Sequence, residues 1–190
     1  MDMMVEQTDE LSGIVEDLLV AARSDIGMVA IHHSHVDIGK EAARAMEVAG
    51  VGGETRGVPT SAFADPQRVR QILRNLLINA KRYGGPKVRI GFGAGAGWTE
   101  VVVSDNGAGV PPDKGEAIFQ SYESAHKPTA VVRSVGLGRY VSRPLARAMG
   151  GDLEYVYDGE WSHFRLRLPA ADMPSEPRST EPARSHSTTA

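Results

Sequence analysis

At 190 residues the chain has room for one full domain with short appendages, and its 41% hydrophobic residues suffice for an ordinary core. Lys and Arg number 21 against 24 Asp and Glu, so the formal charge of -3 excludes a general attraction to nucleic acid or anionic membranes, and any anion site must be local. Cysteine is absent, which rules out disulfides, thiol nucleophiles and thiolate metal sites.

The opening residues Met1-Asp2-Met3-Met4-Val5-Glu6 lack the basic and apolar regions of a signal peptide, and no apolar run is long enough to span a bilayer. Leu11, Ile14, Val15, Leu18 and Leu19 recur at helical spacing, predicting an amphipathic helix over residues 8 to 23 whose stripe needs a partner. Gly27 stops it. A short β-like stretch follows from Met28 to His32, then Val36-Asp37, then a helix from Ile38 to about Ala49. In an extended segment His33, His35 and Asp37 share a face, a set that zinc accepts; with no second ligand group indicated, a solvated edge is the simpler expectation. Residues 50 to 64 are rich in Gly, Ser and Thr and carry only weak strand signals.

Asp65-Pro66 opens the best-defined helix, because Asp caps free amides and Pro fits the first helical position. Tyr83-Gly84-Gly85-Pro86 closes it. Val69, Ile72, Leu73, Leu76 and Ala80 form its apolar stripe, and Asn75, Asn79 and Arg82, at i, i+4 and i+7, line an adjacent one. An Asn oxygen is a neutral ligand for Mg²⁺ carrying phosphates, and an Arg fork neutralises phosphate oxygens. Taken alone, such an Asn pair is more often exposed or tied to neighbouring loops.

Lys87 to Phe92 and Trp98 to Ser104 read as an antiparallel hairpin across the loop Gly93-Ala94-Gly95-Ala96-Gly97. Its second strand runs into Ser104-Asp105-Asn106-Gly107-Ala108-Gly109-Val110. A carboxylate at the end of a buried strand can accept a hydrogen bond from a ligand amine, and glycines beside it allow positive φ and close approach, so this is a candidate adenine pocket. Pro111-Pro112-Asp113 starts a short helix carrying Ile118 and Phe119. Residues 120 to 135 have no period and are expected to form a mobile loop, and a helix from about Leu137 to Met149 ends at Gly150-Gly151. Pro144 inside that helix costs about 3 kcal/mol unless a kink accommodates it. A last hairpin, Asp152 to Asp158 and Trp161 to Leu168, puts Phe164, Leu166 and Leu168 on a core face and His163, Arg165 and Arg167 on a wet one. The Pro-, Ser-, Thr- and Glu-rich residues 170 to 190 are expected to be a disordered tail.

From the Asp65 helix to Leu168 the chain resembles the catalytic and ATP-binding domain of bacterial sensor histidine kinases, members of the wider Bergerat-fold ATPases. Arg74-Asn75-Leu76-Leu77-Ile78-Asn79-Ala80-Lys81-Arg82-Tyr83 resembles the family's N box, Asp105-Asn106-Gly107-Ala108-Gly109-Val110 its first glycine box, Ile118-Phe119-Gln120 its F box, and Gly136-Leu137-Gly138 the core of its second glycine box. Four matches in the family's order are a specific signal. The resemblance implies an α/β (α+β) two-layer sandwich, a mixed, largely antiparallel sheet packed on helices, with ATP and Mg²⁺ as cofactors. It implies that Asp105 accepts the adenine amino group, that Gly107 and Gly109 let the base approach, with Val110 beside them, and that Asn79 ligates Mg²⁺ next to Asn75. Lys81, Arg82 and Tyr83 fall near the nucleotide, and Ser134, Val135, Gly136, Leu137 and Gly138 approach the phosphates at a helix start. Ser134 stands where Gly is common and Arg139 where an apolar residue is usual, changes that bear on affinity without removing a ligand.

By the same resemblance residues 1–26 end a dimerisation helix and linker, 27–169 form the kinase domain, and 170–190 the tail. The implied activity is ATP-dependent phosphorylation of a His on a dimerisation domain, in cis or trans, for relay to a response regulator, by a cytoplasmic domain of a homodimeric parent that is either free or membrane-anchored. No helical His followed by an acidic residue is present to accept phosphate. The alternative is a non-catalytic ATP-binding module of regulatory function, and a Bergerat ATPase driving conformational change lacks the expected transducer sequence.

Overall fold

The computed structural model describes residues 29–110, 117–120 and 137–171; the expected helix at 8 to 23, most of the expected loop at 120 to 135, and the tail from 172 lie outside the described residues. In chain order the elements are β1 (Ser34–Asp37), α1 (Ile38–Ala49), β2 (Glu54–Arg56), β3 (Ser61–Ala64), α2 (Pro66–Tyr83), β4 (Val88–Gly95), β5 (Trp98–Asp105), α3 (Ala117–Gln120), α4 (Leu137–Ala148), β6 (Asp152–Tyr157) and β7 (Ser162–Pro169). Five strands form one sheet in the order β2-β4-β5-β7-β6, parallel only between β2 and β4, while β1 and β3 make a separate antiparallel pair. Helices pack on one face, so the architecture is the expected two-layer sandwich.

Local chemistry sets the helix ends. The Asp65 carboxylate accepts from the amides of Gln67 at 2.9 Å and Arg68 at 3.3 Å, two of the donors that the first turn leaves free. Asp37 does the same for α1, accepting from the Lys40 amide at 2.9 Å. The other oxygen of Asp65 accepts from the His32 amide at 3.0 Å, so this backbone is satisfied by a side chain and the extended segment becomes a strand only at Ser34. That corrects the strand expected over Met28 to His32 for its residues 29–32, Met28 lying outside the described residues. The expected α1 and final hairpin form as read.

Val69, Ile72, Leu73, Leu76 and Ala80 are all buried, and so is Leu77, outside the predicted stripe. The reason is placement: α2 lies between α1 and α4 and is covered on both flanks as well as by the sheet. Beneath it Ile90, Val101, Val103, Leu153, Phe164, Leu166 and Leu168 supply the sheet's core face.

The Gly93–Gly97 segment differs from expectation. β4 continues through Gly95, in register with Trp98, leaving Ala96-Gly97 as a two-residue turn with Gly97 at φ 81°. Ladder hydrogen bonds use the backbone, which glycine supplies like any residue, and the bare Gly95 makes room for the Trp98 indole. Pro144 sits inside α4, which spans Leu137–Ala148 around it.

Candidate functional site

Asp105 ends β5 near the middle of the sheet, in register with Val88 on one side and Ser162 on the other. It is 4% exposed. Its carboxylate accepts from the Gly107 amide at 3.0 Å and from the Gly85 amide, and among the described residues it has no ion-pair partner. Burial holds its pKa above the ordinary carboxylate value, outweighing the two backbone amides and the proximity of His163, which pull it down.

Glycines press against this acid. A Cβ on Gly84 would lie 2.8 Å from Asp105 Cβ and Cγ; one on Gly107 would lie 2.9 Å from Asp105 Oδ1 and 2.9 Å from Gly84 Cα. The end of α2 and the loop after β5 therefore meet backbone to backbone around the carboxylate. Asn106 locks the junction, its Oδ1 accepting from the Lys87 amide at 2.8 Å. Gly109 adopts φ 66°, where side chains are strained, and its α-carbon faces the Tyr157 ring. The next amide, Val110 N–H, donates to Tyr155 Oη at 2.7 Å.

The polar stripe of α2 divides along its length. Asn75 is 8% exposed and its amide donates to the Gly138 carbonyl at 3.4 Å; a Cβ on Gly138 would lie 3.0 Å from Asn75 Cγ, so the start of α4 rests on this side chain. Asn79, one turn on, is half-buried, and Arg82 and Tyr83 are exposed at the end of α2. Lys81 turns the other way: its ammonium donates to the Ala49 carbonyl at 3.0 Å, at the C-terminal end of α1. Leu137 opens α4, whereas Ser134, Val135 and Gly136 lie outside the described residues.

Four contributing residues carry no signal of their role in the sequence. Gly84-Gly85 was visible only as a helix stop, and Tyr155 and Tyr157 only as strand residues; their roles arise where distant segments meet. Behind the site, on the wet face, His163 bridges Ser104 Oγ at 2.8 Å and Asp158 Oδ2 at 3.0 Å. The His163 hydrogen bond, joined by the amides of Trp161 and Glu160, holds Asp158 well below the usual carboxylate range.

Among the described residues no group of three or more His, Cys, Asp or Glu is arranged to hold a metal ion, and no helix is long and apolar enough to cross a membrane. Of the former zinc set, His33 stacks on Phe63 at 5.4 Å, His35 meets the same ring edge-on, and Asp37 caps α1. What the site offers is a buried acceptor ringed by bare backbone, with amides and a guanidinium along the adjoining helix: hydrogen bonding to a flat amine-bearing ligand, and neutral or cationic groups for oxyanions.

Residues 64–172 match the family model described as "Histidine kinase-, DNA gyrase B-, and HSP90-like ATPase". Sensor histidine kinase MtrB of Mycolicibacterium paratuberculosis is 32% identical over 181 residues, covering 88% of this chain and 32% of the relative. Signal transduction histidine-protein kinase AfsQ2 of Streptomyces coelicolor is 31% identical, covering 90% of this chain and 33% of its own length. The chain thus spans about a third of these curated relatives. In fold it is similar to the Acinetobacter baumannii histidine kinase AdeS, with TM-score 0.71 and 20% identity over 90% of this chain and 84% of that one.

Proposed function

Because the chain belongs to the histidine kinase-, DNA gyrase B-, and HSP90-like ATPase family, we propose that it is the ATP·Mg²⁺-binding catalytic domain of a sensor histidine kinase, working on the cytoplasmic side of a homodimeric parent. The observation that carries this is Asp105: a carboxylate 4% exposed, held by two backbone amides and pressed by glycines rather than by a cation. Burying such a charge is costly unless a partner repays it, and an adenine amino group is a donor of the right kind.

In this assignment Asp105 fixes the base while Gly107 and Gly109 let it lie against the backbone. Asn79 offers its amide oxygen to Mg²⁺, and Asn75 carries the start of α4, whose Leu137 and Gly138 backbone faces the phosphates; Ser134, Val135 and Gly136, outside the described residues, are assigned to the phosphates with them. Arg82 neutralises phosphate charge and Tyr83 borders the nucleotide. Lys81, already engaged by Ala49, belongs to the α1 contact rather than to the phosphate set. Bound ATP supplies the γ-phosphoryl group, received by a histidine of a dimerisation domain in cis or trans and then by a response regulator. The chain's own work is positioning and charge neutralisation, as phosphoryl transfer requires.

Mixing this chain with γ-labelled ATP and a matching His-bearing dimerisation domain is expected to yield phosphohistidine. None at saturating nucleotide would overturn transfer and leave a non-catalytic nucleotide-binding module. Asp105→Asn and Asn79→Ala are each expected to weaken ADP·Mg²⁺ binding at least about tenfold, the scale of one charge-assisted contact. Unchanged calorimetric affinity in both rejects the pocket.

A further inference from the structure

The loop from Asp105 to Val110 meets β7 at one end and β6 at the other, and both ends lead to Ser162, the second through Tyr155. Asp105 is the cross-strand partner of Ser162 between β5 and β7. Five residues on, Val110 N–H donates to Tyr155 Oη at 2.7 Å, and the same phenol oxygen lies 3.2 Å from Ser162 Oγ. An amide N–H can only donate, so the phenol accepts from Val110 and its single proton is free for Ser162. The circuit Asp105, loop, Val110, Tyr155, Ser162 and back to Asp105 is closed by side chains that no proposed nucleotide contact uses.

The tie is rigid on its far side. Tyr155 pairs with Phe164 across β6 and β7, ring centroids 5.0 Å apart, and Phe164 meets Phe119 of α3 edge-on at 6.5 Å. Tyr157, two residues along and so on the same face of β6, lies under Gly109. A six-residue loop with two glycines has many conformations open to it, and ordering it on binding would subtract from affinity. Here the strand does the ordering beforehand.

We propose that Tyr155 is a positioning residue of the nucleotide site, its hydroxyl and Ser162 holding the Asp105–Val110 loop in the form that receives the base. The inference rests on the nucleotide-binding reading above, and the test separates the two. ADP·Mg²⁺ is titrated into the wild-type chain, Tyr155→Phe and Ser162→Ala, with amide hydrogen exchange at Val110 followed in the ligand-free proteins. Tyr155→Phe keeps the ring against Phe164 and removes only the hydroxyl. It is expected to weaken ADP five- to tenfold, to speed exchange at Val110, and, in phosphotransfer assays, to raise KM for ATP with kcat within twofold. Ser162→Ala is expected to move all three in the same direction by less, and decides the matter if Tyr155→Phe does not fold. Wild-type protein that fails to bind ADP overturns the nucleotide reading and the inference with it. Wild-type binding with unchanged affinity in both variants, even with a lowered unfolding temperature, overturns the positioning role alone.

Discussion

Gly109 and Tyr157 provide a contact whose energy can be worked out before it is measured. In Gly109→Ala the new Cβ would lie 2.4 Å from Cδ2 and Cε2 of Tyr157 and 2.9 Å from its Cγ, where carbon atoms normally keep about 3.5–4.0 Å. The ring must therefore move by roughly 1 Å or more, at an overpacking cost of about 1–3 kcal/mol. The movement also endangers the hydrogen bond from Tyr157 Oη to the Gly159 carbonyl, at 2.9 Å. Separately, φ of 66° costs a residue with a side chain about 1–2 kcal/mol. The substitution should thus cost about 2–5 kcal/mol, a large share of the ~5–15 kcal/mol that stabilises an ordinary domain. Tyr157→Ala removes the clash and leaves only the backbone strain, so Gly109→Ala made in that background should cost only about 1–2 kcal/mol. The four proteins are compared by urea unfolding monitored by circular dichroism, taking midpoints and slopes together. A coupling of about 1–3 kcal/mol is expected, the size of the overpacking cost that Tyr157→Ala removes; additivity within about 0.5 kcal/mol would refute the claim that the loop is seated on this ring.

Burial raises the folded pKa of Asp105 above its ordinary 3.8, so between the two values the native state holds more protons than the unfolded one and stability falls as pH rises through that window. Asp105→Asn does not titrate, and its ligand-free thermal midpoint should gain on the wild type's across the same window; parallel pH curves would contradict this. Glu41 is 5% exposed and accepts from Arg70 Nε at 2.7 Å and Arg44 Nη1 at 3.1 Å, joining α1 to α2. Glu41→Ala should cost about 1–2 kcal/mol in chemical denaturation, below the ~3–5 of a fully buried pair because the Arg70 side chain is 38% exposed and can rehydrate. Gly95→Ala puts a Cβ 2.4 Å from the Trp98 indole. A stability loss of about 1–3 kcal/mol with a shift in tryptophan emission is expected, and neither change would mean that the β4–β5 turn can splay without cost.

What could be read from the sequence is what residues do to near neighbours. Asp65-Pro66 announces α2 because cap and first turn are contiguous, and the Asn75-Asn79-Arg82 stripe follows from helical spacing alone. Leu77 and Lys81 show the limit: a helix flanked by α1 and α4 has no solvent face along much of its length, and periodicity cannot reveal how many partners a helix has. Asp105 was legible for a different reason. A carboxylate at the end of a valine run and followed closely by two glycines has few structural uses, so residue type and order together narrow the chemistry. The tyrosines had no such signature. Val110 and Tyr155 are 45 residues apart, and only the sheet order β5-β7-β6, with Ser162 in register with both Asp105 and Tyr157, brings the loop over β6. The contacts that a ligand would make are therefore encoded in short motifs, while those that hold the motif in shape are encoded in strand order. It follows that substitutions in β6 and β7, outside every motif, should change nucleotide affinity as much as some substitutions within them.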